Sequence, residues 1–263
     1  MLQFFNQIIA PQFKFIGGKA SSLIKLRKNN FLVPNGFIIF QKIENKKILK
    51  AFQELNCQYV AVRSSANLED GSTNSFAGQF DTFLFVDEKN LIKKISECFN
   101  SINSNRIKHY CQSKNIDQKK IKISVIIQQM INSKISGVCF TKHPVSKNSN
   151  QIIIEAGYGL GEAIVSGKIT PDLYIFDKKL LKIIEKQINS QEKMIILNQK
   201  TSGTKIQTVK KDLQNKQKLS DLQILEIAKT ALKIEKIYKK EMDIEWGYEN
   251  RKLYILQARA ITI

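Results

Sequence analysis

Arginine is scarce in this chain. Of 42 lysines and arginines in 263 residues only five are arginine, and two of these, Arg63 and Arg259, each end a buried-looking apolar strand. A guanidinium at a strand end presents its planar fork to whatever lies beyond, which is the geometry that grips a phosphate with two parallel hydrogen bonds. An ion pair between Arg63 and Glu69 or Asp70 is the plainer alternative. Gln257 and Arg259 are two apart on a strand, so in an uninterrupted pleat both project to one face, together with Leu253 and Ile255. A polar pair on that face is out of keeping with a plain core strand and favours a site. Lys19 follows Gly17 and Gly18, whose missing side chains let backbone come close to a ligand. Positioned positive charge of this kind is what phosphoryl transfer needs, more than covalent help.

Two familiar phosphate motifs fail on spacing. Gly18-Lys19 would close a P-loop only with glycine at position 13 and Ser or Thr at position 20, and those positions hold Phe13 and Ala20. Gly157, Gly159 and Gly161 are spaced one residue too tightly for a dinucleotide fingerprint, with Glu162 where the third glycine belongs. The four cysteines lack CxxC pairing, which argues against zinc and against a disulfide framework.

At 43% hydrophobic and 25% charged, the composition is that of a globular protein, with room for one large domain or two lobes. No apolar run approaches a membrane span, and MLQFFNQIIAPQFKF lacks the basic head and cleavage site of a secretion signal, so a reduced, cytoplasmic setting is expected. The net charge of +19 comes from lysines spread along the whole chain beside many Ile and Asn. It reads as a compositional bias; a small polyanion such as a nucleotide fits it better than a specific nucleic acid.

The elements that must carry these residues alternate between strand and helix, without internal repeats. A loop and helix follow FIGGK, VPNGFIIF is a turn and strand, and Ile43 to Leu55 a helix. YVAVRSSA is a strand whose apolar run stops at Arg63. Residues 90–112 suggest one helix, and 123–131 a buried strand. SGVCFT, QIIIEAG and DLYIFD are short strands, and 220–240 is a helix opened by a Ser220/Gln223 capping box. MDIEW and KLYILQARAITI make a closing hairpin around GYENR. The polar stretch 198–218 reads as a flexible connection.

In order along the chain stand GGKASSL, VPNGF, VAVRSSANLEDG, SFAGQFDTFLFV, SGVCFT, EAGYGLGEAIVSG, DIEW and LQAR. Together they resemble the N-terminal ATP-binding domain of the phosphoenolpyruvate synthase, pyruvate phosphate dikinase and rifampin phosphotransferase family, over nearly the whole chain. The resemblance implies an α+β, ATP-grasp-like domain of two lobes (1–122 and 123–263) with mostly antiparallel sheets. It also implies an ATP-dependent phosphotransferase that moves the β-phosphate of Mg-ATP to a histidine on a separate domain or subunit. By residue, it makes Lys19, Arg63 and Arg259 the catalytic phosphate-binding cations. Gly78 and Thr82 belong to the loop covering the phosphates, Gln128 to the hinge strand bordering adenine, and Glu245 and Gln257 to the magnesium site.

Some features depart from the family. Ala260 replaces the usual proline, the N-terminal lobe lacks a long helical insertion, and neither His109 nor His143 sits in a phosphohistidine context. No acceptor domain is expected within these residues. A stand-alone small-molecule kinase and a non-catalytic nucleotide-binding module therefore stay open as alternatives. One geometric expectation follows from the metal assignment. Glu245 and Gln257 share a face only if the hairpin loop has an odd number of residues, three or five, or a bulge restores the parity.

Overall fold

The computed structural model describes residues 1–8, 13–67, 81–113 and 116–261. Its first sheet has the spatial order β1 (Leu2–Phe4), β2 (Gly36–Ile39), β5 (Ile123–Gln129), β3 (Val60–Ala66), β4 (Thr82–Val86), all antiparallel. The second runs β13 (Lys252–Ala260), β12 (Met242–Glu249), β6 (Ile135–Phe140), β7 (Gln151–Tyr158), β8 (Asp172–Asp177), β9 (Lys182–Gln187), again antiparallel throughout. This is the α+β, mostly antiparallel architecture that the resemblance implies. Residues 123–129, grouped on sequence with the second lobe, pair with β2 and β3, so the change of sheet comes after Gln129.

The apolar runs of β3 and β5 are continuous because helices cover both faces of their sheet. Val62, Val125 and Ile127 pack toward α2 (Asn45–Glu54) and α3 (Glu88–Asn100), whereas Ile126 packs toward α1 (Phe13–Lys28). The same core as Ile126 holds Tyr174, Phe176 and Trp246 of the second sheet and Ile224, Ile227 and Ala231 of α7 (Asp221–Tyr238). The Tyr238 hydroxyl donates to the Ser22 carbonyl at 3.0 Å, joining α7 to α1. α7 opens with the expected capping box, Ser220 and Gln223 each bonding the other's backbone N–H.

Two expectations are corrected. The single helix over 90–112 is divided into α3 and α4 (Asn105–Ser113) by a short 3-10 turn, Ser101–Asn103. There the Ser101 hydroxyl donates to the Cys98 carbonyl at 2.7 Å, a local bond that competes with helix continuation. Much of 198–218 is tied into the fold rather than forming a flexible connection. β11 (Thr204–Thr208) pairs with β10 (Lys193–Leu197) as a ribbon, α6 (Lys211–Gln214) follows, and Lys218 is buried.

Gly137, at the centre of the second sheet, has no room for a side chain. A Cβ there would lie 1.8 Å from the Glu155 carbonyl oxygen and 2.6 Å from the Trp246 ring. Gly137→Ala is expected to cost about 1–3 kcal/mol or more, as overpacking of a rigid core does. Denaturant unfolding checks this, and an unchanged midpoint would contradict the packing described.

Candidate functional site

Arg63 crosses from one sheet to the other. Its Nη1 donates to the Leu256 carbonyl at 3.0 Å, and its Nη2 donates to Gln257 Oε1 and to Glu245 Oε2, the latter at 3.4 Å. The residue is only 9% exposed, and its Nε–H has no acceptor among the described residues. The partner that Arg63 finds is therefore Glu245 of the second sheet; Glu69 and Asp70 lie outside the described residues.

The terminal hairpin brings Glu245 and Gln257 together by the less obvious route. Its loop has two residues, Asn250 and Arg251, both in the left-handed region (φ 50° and 63°) as a tight type I′ turn requires. The expected three- or five-residue loop is not formed. Parity is restored instead by a bulge: Trp246 faces Ile255, Glu245 faces Gln257, and Leu256 is the extra residue. The bulge also overturns the expectation that Gln257 and Arg259 share a face with Leu253 and Ile255. Those two point into the core with Trp246, while Gln257 and Arg259 are turned to the opposite face.

That face carries more charge than sequence reasoning collected. Asp243 lies opposite Arg259 and accepts from its Nε at 2.8 Å and its Nη2 at 2.7 Å. Burial pushes the Asp243 carboxyl up, with Arg259 pulling it back. Glu155 stands in the row Glu245, Val138, Glu155 across β12, β6 and β7, and its carboxyl is raised first by burial and then by Asp243. The alternation Asp-x-Glu in MDIEW signals that Asp243 shares the face of Glu245. Glu155 has no such signal, because only strand order brings it there.

Lys19 is held by a different device. α1 is interrupted at Gly17 (φ 77°, ψ 168°), where a Cβ would meet Ser65 Oγ at 2.4 Å and the Ala66 carbonyl oxygen at 2.7 Å. Ala20 N donates to Ser65 Oγ at 3.2 Å, and Ser124 Oγ to the Ile16 carbonyl at 2.7 Å. The half-buried Lys19 thus follows a kink that is clamped to β5 and, at Ser65, to β3, Ser65 itself lying one pleat repeat along β3 from Arg63.

Thr82 opens β4 directly opposite Arg63 and is exposed, while Gly78 lies outside the described residues. Gln128 shares the Arg63 face, but its backbone is enclosed between Gly36 and Ala61 and its side chain donates to the Pro34 carbonyl at 3.4 Å. An adenine edge there would have to be met beyond the strand end. In the glycine-rich loop the amides of Tyr158, Gly159 and Leu160 are already used, donating to Gln191 Oε1, the Lys134 carbonyl and the Ile195 carbonyl. His143 is engaged in its own turn, with Nδ1 accepting from Val145 N and Ser146 N.

No group of three or more His, Cys, Asp or Glu side chains among the described residues is arranged to hold a metal. The facing oxygens of Glu245 and Gln257 nevertheless suit magnesium, which takes few protein ligands and completes its octahedron with phosphate and water. Zinc or another ion that relies on a closed protein cage does not fit this pair.

Residues 40–263 match the family model described as the pyruvate phosphate dikinase AMP/ATP-binding domain. The chain is 45% identical over 204 residues to a probable phosphoenolpyruvate synthase of Methanocaldococcus jannaschii, covering 77% of this chain and 17% of that protein. It is 44% identical over 231 residues to the phosphoenolpyruvate synthase of Pyrococcus furiosus, covering 82% and 28%. The chain therefore spans less than a third of the length of these relatives. The crystal structure of PH1788 from Pyrococcus horikoshii superposes with a TM-score of 0.51 at 13% identity, over 92% of this chain and 89% of that one, a likeness of fold. Among the described residues no helix is long and apolar enough to cross a membrane.

Proposed function

The chain belongs to the pyruvate phosphate dikinase AMP/ATP-binding domain family, and on that premise we propose that it binds Mg-ATP between its two sheets and passes the β-phosphate to a histidine carrier on another domain or chain. One observation carries the reading: Arg63 of the first sheet meets Glu245 and Gln257 of the second, so a cation and two metal-type oxygens converge where the sheets face each other. Lys19 and Arg63 bind and orient the phosphates, and Thr82 beside Arg63 adds a hydroxyl. Arg259, held by Asp243, supplies a further fixed positive charge. These groups act by neutralising charge that spreads over the transferring phosphoryl, and being preorganised they need no reorganisation during the step. Glu245 and Gln257 would hold magnesium, whose contribution when bound is to neutralise phosphate charge. The histidine that accepts the phosphoryl is not expected among His109 and His143.

Calorimetry with Mg-ATP is expected to show binding in the range of about 1 µM to 1 mM, usual for such sites. Absence of heat at several-fold higher concentration would sink the reading. With a relative's histidine domain added, the products expected are phosphohistidine, AMP and, from the γ-phosphoryl taken by water, phosphate; release of ADP would contradict transfer of the β-phosphate.

A further inference from the structure

We infer that Arg63 gates the metal: its guanidinium holds the same two side-chain oxygens that magnesium would use, so the site takes the ion together with nucleotide phosphates and not ahead of them. This rests on the Mg-ATP reading above and adds an order of binding to it.

The contacts are specific. Nη2 reaches both Gln257 Oε1 and Glu245 Oε2, and Nη1 reaches the carbonyl of Leu256, the bulge residue. A fixed unit charge at hydrogen-bond distance from both oxygens opposes a divalent cation there, more strongly because the site is largely shielded from water. Magnesium sheds its own water reluctantly, and two protein donors are too few to displace the guanidinium unaided. Arg259 is committed through its Nε and Nη2 to Asp243.

Phosphate changes both sides of the balance. It brings negative charge between arginine and metal, and it offers acceptors in the geometry that a guanidinium fork fits. Arg63 also has a reason to turn toward it. In the arrangement described, its buried Nε–H is without an acceptor, and an unmade bond of this kind is costly. Rotation of a long side chain is sufficient to change partners.

The test reads metal binding without nucleotide, by electron paramagnetic resonance of free Mn2+, on the parent protein and on Arg63→Met and Arg63→Lys. Arg63→Met is expected to bind Mn2+ at least about tenfold more tightly than the parent, and Arg63→Lys, which keeps the charge, to stay near the parent. Adding Glu245→Gln to Arg63→Met should abolish the gain. An Arg63→Met variant no tighter than the parent overturns the inference. So does a parent that binds Mn2+ alone with a Kd below about 10 µM, a measurement that requires no variant to fold. Mg-ATP calorimetry on the parent separates the two levels. No nucleotide binding removes the underlying reading and this inference with it, whereas nucleotide binding without the Arg63→Met gain overturns the inference alone.

Discussion

Arg63→Ala is expected to lower phosphoryl transfer by about 10²–10³-fold, the loss typical when one preorganised donor to developing charge is removed. Arg63 is nine-tenths buried and spans the two sheets, so its removal leaves that junction without its fixed guanidinium. Arg63→Lys should recover only part of the activity, because an ammonium cannot reproduce a bidentate fork. Lys205→Ala, on the exposed side of the ribbon, is the control and should leave the rate unchanged. Rates of AMP formation with an added histidine domain would decide the matter. An Arg63→Ala rate within a few-fold of the parent sinks the assignment, and equal losses at Arg63 and Lys205 would mean that bulk charge, and no defined site, holds the nucleotide.

Lys218→Met is expected to destabilise the fold by about 3–5 kcal/mol, the usual cost of leaving one member of a buried ion pair without its partner. Lys218 Nζ lies 2.8 Å from Asp172 Oδ1, and both side chains are 0% exposed. Asp172 also accepts from Lys218 N at 2.9 Å, Asn189 N at 3.0 Å and the Tyr174 hydroxyl at 2.8 Å. Because its side chain is fully buried, the carboxylate has no route to water when the ammonium is removed and keeps only these three neutral donors. Burial and the neighbouring Asp172 both push the Tyr174 hydroxyl up, so it stays a neutral donor to the carboxylate. Replacing Asp172 and Lys218 together by apolar residues of similar volume should restore only part of the loss, since the isolated charge is then gone but the Lys218 and Asn189 amides and the Tyr174 hydroxyl lose their acceptor. Urea unfolding of the single and double variants measures both effects. A single-variant loss under about 1 kcal/mol would show that the pair is not closed off from solvent as described.

Lys218 also shows why the 198–218 stretch could not be read from composition. Its polar residues look like those of a linker, and only the pairing of β10 with β11 and the depth of Asp172 turn it into built structure. The tip of this ribbon reaches the first sheet, where Gly203 N donates to the Phe85 carbonyl at 3.0 Å. Contacts of this kind depend on residues more than a hundred positions apart, and local pattern carries no record of them.

Other features were legible because their causes are local. The apolar runs before Arg63 and through 123–129 mark strands buried on both faces, the Ser220/Gln223 pair marks the start of α7, and the order of motifs carries the family. The identities of Lys19, Arg63, Glu245, Gln257 and Arg259 as a set could be proposed from the sequence alone. The meeting of Arg63 with Glu245 and Gln257 could not. A side chain's face alternates with every residue, so a single inserted residue between paired strands reverses all that follows. The two-residue turn at Asn250 and Arg251 by itself would send Gln257 away from Glu245. The extra residue at Leu256 turns it back, while Ile255 stays packed in the core with Trp246. Residue type and spacing in sequence thus determined which groups are available for phosphate and metal. Whether they share a face was decided by strand register, which is set by how the whole core packs and is written in no local run of residues.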